Sequence, residues 1–235
     1  MRQEKTAEPA VAIEPAYYEV GYWKRWSRVY DSLVKLFFLP FGGELRFRDN
    51  FVDFASPREG EQVLDACCGT GTVTALVARR VGGSGRVIGI DLSAEMIARA
   101  RKKTTNLPVI FKRASCDRLP FPEDTFDRSL VSFGLHELPR AIRQNSLKEI
   151  YRTLKPGGSL FIFDYHLPEG LWPRLAIKSF VKFFEEEAAY RLMLEDRLPA
   201  EIGDAGFIIR ERRWPLAGMF QMLRVQKPGQ VRVDG

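Results

Sequence analysis

The chain has 235 residues, 45% of them apolar, and 36 Lys and Arg against 30 Asp and Glu give a net charge of +6. That composition excludes a disordered or fibrous chain and provides enough apolar side chain for one large globular domain. The pI of about 9.3 suits an acidic partner, but the basic residues form no long block and no nucleic-acid motif is present, so no nucleic-acid partner is expected.

Residues 1–15 are polar with Ala, Glu and Pro and read as a loose tail without the apolar stretch of a secretory leader. From Tyr17 to Arg48 the chain crowds aromatic residues such as Trp23, Trp26, Phe37 and Phe47 among Lys24, Arg25, Arg28 and Arg46. Helices broken at Pro40 and Gly42-Gly43 are expected there, forming an N-terminal lid over residues 16–58. Short apolar runs then alternate with helical patterns. Strands are predicted at Gln62–Ala66, Arg86–Ile90, Val109–Lys112, Arg128–Ser132 and Ser159–Asp164. Helices are predicted at Thr72–Val81, Ala94–Lys103 with Ser93 as N-cap, and Pro139–Leu154, closed by Pro156-Gly157-Gly158. This alternation predicts a doubly wound α/β fold with helices on both faces of a parallel sheet. The rhythm changes in an insert, residues 168–197, that contains the apolar run Leu171–Phe184. A short helix at Leu198–Ala205 and two strands, Phe207–Trp214 and Met219–Val225, complete a single domain over residues 16–226, and residues 227–235 read as a second tail.

The run Val63-Leu64-Asp65-Ala66-Cys67-Cys68-Gly69-Thr70-Gly71-Thr72 brings an apolar strand to a tight Gly-x-Gly turn, and the next strand ends in the lone acid Asp91. This is a nucleotide-binding βαβ pattern: Gly69 and Gly71 let backbone approach a ligand, and Asp91 can accept both hydroxyls of a ribose. Asp65, four residues ahead of Gly69, would repel a pyrophosphate beside the loop and suits a ligand bearing a sulfonium and an ammonium group. Thr74 also replaces the third glycine of a dinucleotide fingerprint. These features point to S-adenosylmethionine and away from NAD.

Ligands of open α/β sheets bind at the carboxyl ends of the strands. Ser115-Cys116 fall there after the third strand, placed to read an adenine edge, and Ser132 to Glu137 follow the fourth. Both histidines of the chain, His136 and His166, lie on this edge. Methyl transfer from a sulfonium is an in-line displacement that needs alignment and exclusion of water. A base is needed only for an acceptor that loses a proton; His136 is the first choice and His166 the second. Cys67 and Cys68 read as small residues packing the loop, and Asp117 and Glu137 as cap or surface residues. The three cysteines make no Cys-x-x-Cys pair, so no metal is expected, and their odd number suits a reducing, cytoplasmic compartment. The aromatic segments flanking the sheet suggest an apolar or lipid-like small-molecule acceptor, and Trp and Tyr among Lys and Arg suggest peripheral contact with a membrane surface.

The glycine-rich run, Asp91-Leu92-Ser93-Ala94-Glu95-Met96, Leu119-Pro120-Phe121-Pro122-Glu123-Asp124-Thr125-Phe126-Asp127, Ser132-Phe133-Gly134-Leu135 and Leu154-Lys155-Pro156-Gly157-Gly158 together resemble the ubiquinone/menaquinone biosynthesis C-methyltransferases, within the Rossmann-like (class I) S-adenosylmethionine-dependent methyltransferases. The resemblance runs from about Tyr30 to Phe207. It implies seven strands, the last antiparallel, and cofactor contacts from Thr70, Asp91, Leu92, Met96, Ser115, Cys116 and Ser132. It also implies a prenylated quinol or phenol ring as acceptor. The family commonly carries Arg-Asn after Phe-Gly-Leu, where this chain has His136-Glu137. Three other readings stand beside it: N-methylation of a membrane lipid headgroup or other small amine, a non-catalytic S-adenosylmethionine-binding module, and an NAD oxidoreductase.

Overall fold

The computed structural model describes Leu39 and residues 42–184, 192–194 and 197–229. The expectations for the first tail, for most of the lid, for part of the insert and for residues 230–235 lie outside these. Seven strands form one sheet: β1 (Gln62–Ala66), β2 (Arg86–Asp91), β3 (Val109–Arg113), β4 (Phe126–Ser132), β5 (Leu154–Tyr165), β6 (Ile208–Arg213) and β7 (Phe220–Gln226). Their order is β3-β2-β1-β4-β5-β7-β6. The five strands β1 to β5 pair in parallel, and β7 runs antiparallel to both β5 and β6. The chain winds outward from β1 to β3 and then returns to place β4 on the other side of β1. That reversal opens a crevice at the carboxyl ends of β1 and β4.

The period-2 alternation of the strands divides their side chains between two helical layers. Val63, Val87, Phe161 and Phe163 face α1 (Glu44–Ala55) and α2 (Thr72–Val81). Leu64, Ile88, Leu160 and Ile162 face α4 (Arg140–Thr153) and α6 (Leu198–Asp204). α3 (Ala94–Lys103) extends the first layer over β2 and β3, packing Ile97 and Ala100 on Phe111. Its first turn is held by Ser93, whose hydroxyl accepts from the Met96 N–H at 3.2 Å. α5 (Leu171–Phe184) follows β5 and rests Ile177 and Val181 on Tyr165, Leu167 and Met219.

α1 begins directly after Gly43, as the Gly42-Gly43 break predicts, and buries Phe47, Phe51, Val52, Phe54 and Ala55. Phe51 meets Phe163 with ring centroids 5.2 Å apart, so Phe51→Ala would cost about 3–5 kcal/mol through the lost contact and the void. Gly71, with φ +75°, opens α2; a Cβ there would lie 2.8 Å from the Ala100 Cβ, so a side chain would drive α2 away from α3.

Two segments differ from the expectation. Pro156-Gly157-Gly158 does not precede β5 but forms a bulge inside it, between Leu154 opposite Phe126 and Ser159 opposite Arg128. Lys227, expected in a loose tail, is tied down. Its backbone exchanges hydrogen bonds with Gly157 and Gly158, and its Nζ donates to the Leu154 carbonyl and to Asp124, at 2.6 and 2.7 Å.

Candidate functional site

The carboxyl ends of β1 to β4 line a cleft that is open to solvent on one side. From the β1 loop come Cys67, Cys68, Gly69, Thr70 and Thr72; from β2 and α3, Asp91, Leu92 and Met96. Ala114, Ser115 and Cys116 follow β3, and Ser132, Phe133, Gly134, Glu137 and Leu138 follow β4. Arg48 closes the wall from α1.

The loop is braced by Asp91 and by Lys103. Asp91 accepts from the Gly69 N–H at 2.9 Å and the Ser93 N–H at 2.8 Å, one bond to each carboxylate oxygen. The Leu92 N–H also faces this carboxylate, and burial pushes it above its ordinary range against these three backbone donors. Lys103 Nζ donates to the Thr70 and Thr72 hydroxyls at 3.0 and 2.8 Å. A Cβ added to Gly69 would meet nothing within 4 Å, so its bare backbone faces open space.

Arg48 is a buried cation on this wall, only 7% exposed. Its Nε donates to Glu44 Oε1 at 2.7 Å and its guanidinium also donates to the Ser132 hydroxyl at 3.4 Å. Cys67 and Phe133 hold φ of 57° and 54°, the left-handed region that non-glycine residues seldom occupy. They leave adjacent strands, and Gly134 packs so closely that a Cβ on it would lie 2.5 Å from the Cys67 Cβ.

A methyltransferase-domain family model matches residues 63–158, the span from β1 into the β5 bulge. An uncharacterized methyltransferase of Synechocystis sp. is 33% identical over 211 residues, covering 87% of this chain and 95% of the relative. The ubiquinone/menaquinone biosynthesis C-methyltransferase UbiE of Enterobacter sp. is 35% identical over 143 residues, 59% of this chain and 55% of that enzyme. This chain thus aligns with only about half the length of the UbiE relatives it matches. A SAM-dependent methyltransferase from Aquifex aeolicus shares the fold at TM-score 0.64 and 20% identity, over 89% of this chain and 99% of its own. The chain belongs to the class I S-adenosylmethionine-dependent methyltransferases.

This methyltransferase is an enzyme that takes S-adenosylmethionine as methyl donor and a small molecule as acceptor. The donor set in the cleft is compatible with that molecule: an acid at the end of β2, exposed backbone at Gly69, apolar Leu92 and Met96, and a cation at Arg48. Of the residues picked out from sequence, Gly69, Thr70, Asp91, Leu92, Met96, Ser115, Cys116 and Ser132 are brought together on the wall. Gly71 lies at the α2–α3 contact, and Asp65 lies behind the loop. Asp65 is 1% exposed and accepts from the Thr74 hydroxyl at 2.5 Å; burial raises its carboxyl to about 7 against the lowering effects of Thr74 and Arg48. It therefore anchors the loop from within and does not face a ligand cation.

The two histidines also lie off the wall. His136 is buried behind Glu137, with Nδ1 2.6 Å from Asp164 Oδ1 and Nε2 4.0 Å from Glu137 Oε1. Its ring packs on Tyr165 at 4.8 Å between centroids. His166 directs Nδ1 to the Gly218 carbonyl at 2.7 Å, beside the loop that carries Trp214.

Local reading of the sequence missed Arg48 and took Glu137 for a cap or surface residue. Arg48 did leave a signal: Glu44 and Arg48 fall on the same helical stripe as Phe47, Phe51 and Ala55, where a solvated pair has no place. Among the described residues no group of three or more His, Cys, Asp or Glu is placed to hold a metal, and no helix is long and apolar enough to cross a membrane.

Proposed function

We propose that the enzyme methylates an apolar acceptor, a ring carbon of a prenylated quinol or phenol. The observation that carries this is the 35% identity to UbiE across 143 residues, 59% of this chain. Phe133 and Leu138 supply apolar surface on the β4 side of the cleft wall, and Tyr165 and Phe180 continue it outward.

When bound, S-adenosylmethionine supplies a methyl group on a positively charged sulfur. Asp91 holds the ribose hydroxyls, while Gly69 and Thr70 present backbone and hydroxyl to the same ligand. Ser115 and Cys116 border the base, with the Ser115 hydroxyl turned to Asp117. Arg48 receives the carboxylate of the methionine portion, a role that fits a guanidinium pre-oriented by Glu44. Ser132 braces Arg48 and so links cofactor grip to the end of β4.

A quinol carbon must lose a proton on methylation. Asp164 accepts the Nδ1–H of His136 and leaves Nε2 as the proton acceptor, and Glu137 on the wall lies between Nε2 and the cleft. His136 is the proposed base, acting through Glu137: that carboxylate would take the proton from the ring carbon and pass it to Nε2, 4.0 Å away. His166, held by the Gly218 carbonyl, remains the second choice.

One observation favours a second reading. Glu137 places an acid on the acceptor side of the wall, which suits an amine such as a membrane lipid headgroup. Incubation with methyl-labelled donor, once with a reduced short-chain prenyl quinone and once with phosphatidylethanolamine, separates the two by the mass of the product. Label in the quinol ring carries the first reading; label only on the amine replaces it with the second.

A further inference from the structure

The geometry points to α5 as a docking helix for an anionic lipid surface. α5 carries Arg174, Lys178 and Lys182 and no acid from Leu171 to Phe184. These cations recur at i, i+4 spacing and form one row along the helix. Among the described residues none of the three side chains has an ion-pair or hydrogen-bond partner. Beside this row the helix exposes apolar side chains: Trp172 is 79% exposed, Leu171 65% and Leu175 49%.

Burial would normally remove such a surface from water, and α5 does bury its opposite stripe, Ile177 and Val181, against the body of the enzyme. A helix that buries one face, exposes Trp and Leu on the next, and flanks them with cations matches an interfacial helix lying in the plane of a bilayer. The cations select anionic headgroups by charge complementarity, and the indole suits the boundary between headgroup and acyl chain. The helix is 14 residues long, too short to span, so contact is peripheral. It leaves β5 next to Tyr165, whose ring lies 4.8 Å from that of His136, so a docked α5 brings the acceptor side of the site close to the bilayer.

The inference stands apart from the acceptor's identity, because vesicle binding is read without turnover. The full-length protein is sedimented with phosphatidylcholine vesicles and with vesicles containing phosphatidylglycerol. Binding to the second kind, weakened by salt, is expected. Arg174→Glu/Lys178→Glu should lower it at least about 25-fold, taking about fivefold per cation. Arg79→Glu/Lys102→Glu, an equal charge change on exposed positions of α2 and α3, should lower it far less. Brominated lipid should quench tryptophan fluorescence, and Trp172→Phe should remove most of that quenching while circular dichroism stays unchanged. The proposal is overturned by any of three results. These are no binding to phosphatidylglycerol vesicles, equal losses in the two double variants, or a dimer in ultracentrifugation that Trp172→Phe dissociates.

Discussion

The guanidinium of Arg48 reaches across 84 residues of chain to the hydroxyl of Ser132, at 3.4 Å, and closes the cofactor cleft from the side of α1. A buried cation costs several kcal/mol unless it is paired, and Glu44 at 2.7 Å supplies the pair. Glu44 holds the guanidinium from within α1, on the wall of the cleft where a ligand carboxylate would dock.

Arg48→Ala should therefore weaken S-adenosylmethionine binding by about 10–100-fold, the span expected for a charge-assisted hydrogen bond. Removing the cation also strands Glu44, so stability falls as well. Decarboxylated S-adenosylmethionine separates the effects: calorimetry should show it binding wild type and Arg48→Ala with similar affinity. An equal loss for both ligands would take the carboxylate away from Arg48.

Asp65 makes stability depend on pH in the direction opposite to that of a salt-bridged acid. Its carboxyl titrates near 7 in the folded protein, raised by burial, against about 3.9 when unfolded. Between those values the folded state holds a proton that the unfolded state has released, so stability falls as pH rises through the window. Asp65→Asn keeps an oxygen for the Thr74 hydroxyl and removes the ionisation. From pH 5 to pH 8 the unfolding free energy from urea titrations should drop more for wild type than for the variant, by on the order of 2 kcal/mol. Parallel slopes for the two proteins would place the titration elsewhere.

The base assignment is tested through its orienting partner. His136→Ala should reduce turnover of a quinol acceptor by about 10²–10⁴-fold with little change in cofactor affinity. Asp164→Asn removes the anion that fixes Nδ1–H, 2.6 Å away, and should lower kcat and shift the acidic limb of its pH profile. With an amine acceptor that attacks as the free base, most of the rate should survive His136→Ala. Full activity toward a quinol in that variant would remove His136 from the chemistry.

Most of the sheet was readable from sequence because each strand and its loop are local. The apolar run to Ala66 ends at a Gly-x-Gly turn, Asp91 ends the next strand, and Ser115-Cys116 follow the third, so the topology alone carries them to one edge. What could not be read depends on packing between distant segments. Asp65 points into the layer between sheet and helices because side chains alternate along β1, and spacing to Gly69 does not reveal that. Glu137 and His136 differ by one position, yet Glu137 reaches the cleft and His136 turns back to Asp164. Phe133, in the turn between β4 and these two residues, takes a left-handed conformation that the local sequence does not announce.

The thiols of Cys67 and Cys116 lie 3.1 Å apart on the cleft wall, one from the β1 loop and one from the loop after β3. Their mutual contact and burial raise the Cys67 thiol well above its ordinary range. The thiolate is the reactive form, so alkylation by iodoacetamide should be slow at neutral pH. It should still be accelerating past pH 10, where a free thiol near 8.5 has levelled off. If these two residues border the base of the cofactor, S-adenosylhomocysteine should protect both from alkylation, as read by mass spectrometry of the tryptic peptides. Modification of Cys67 at the same rate with and without that ligand would move the bound nucleoside away from this part of the wall.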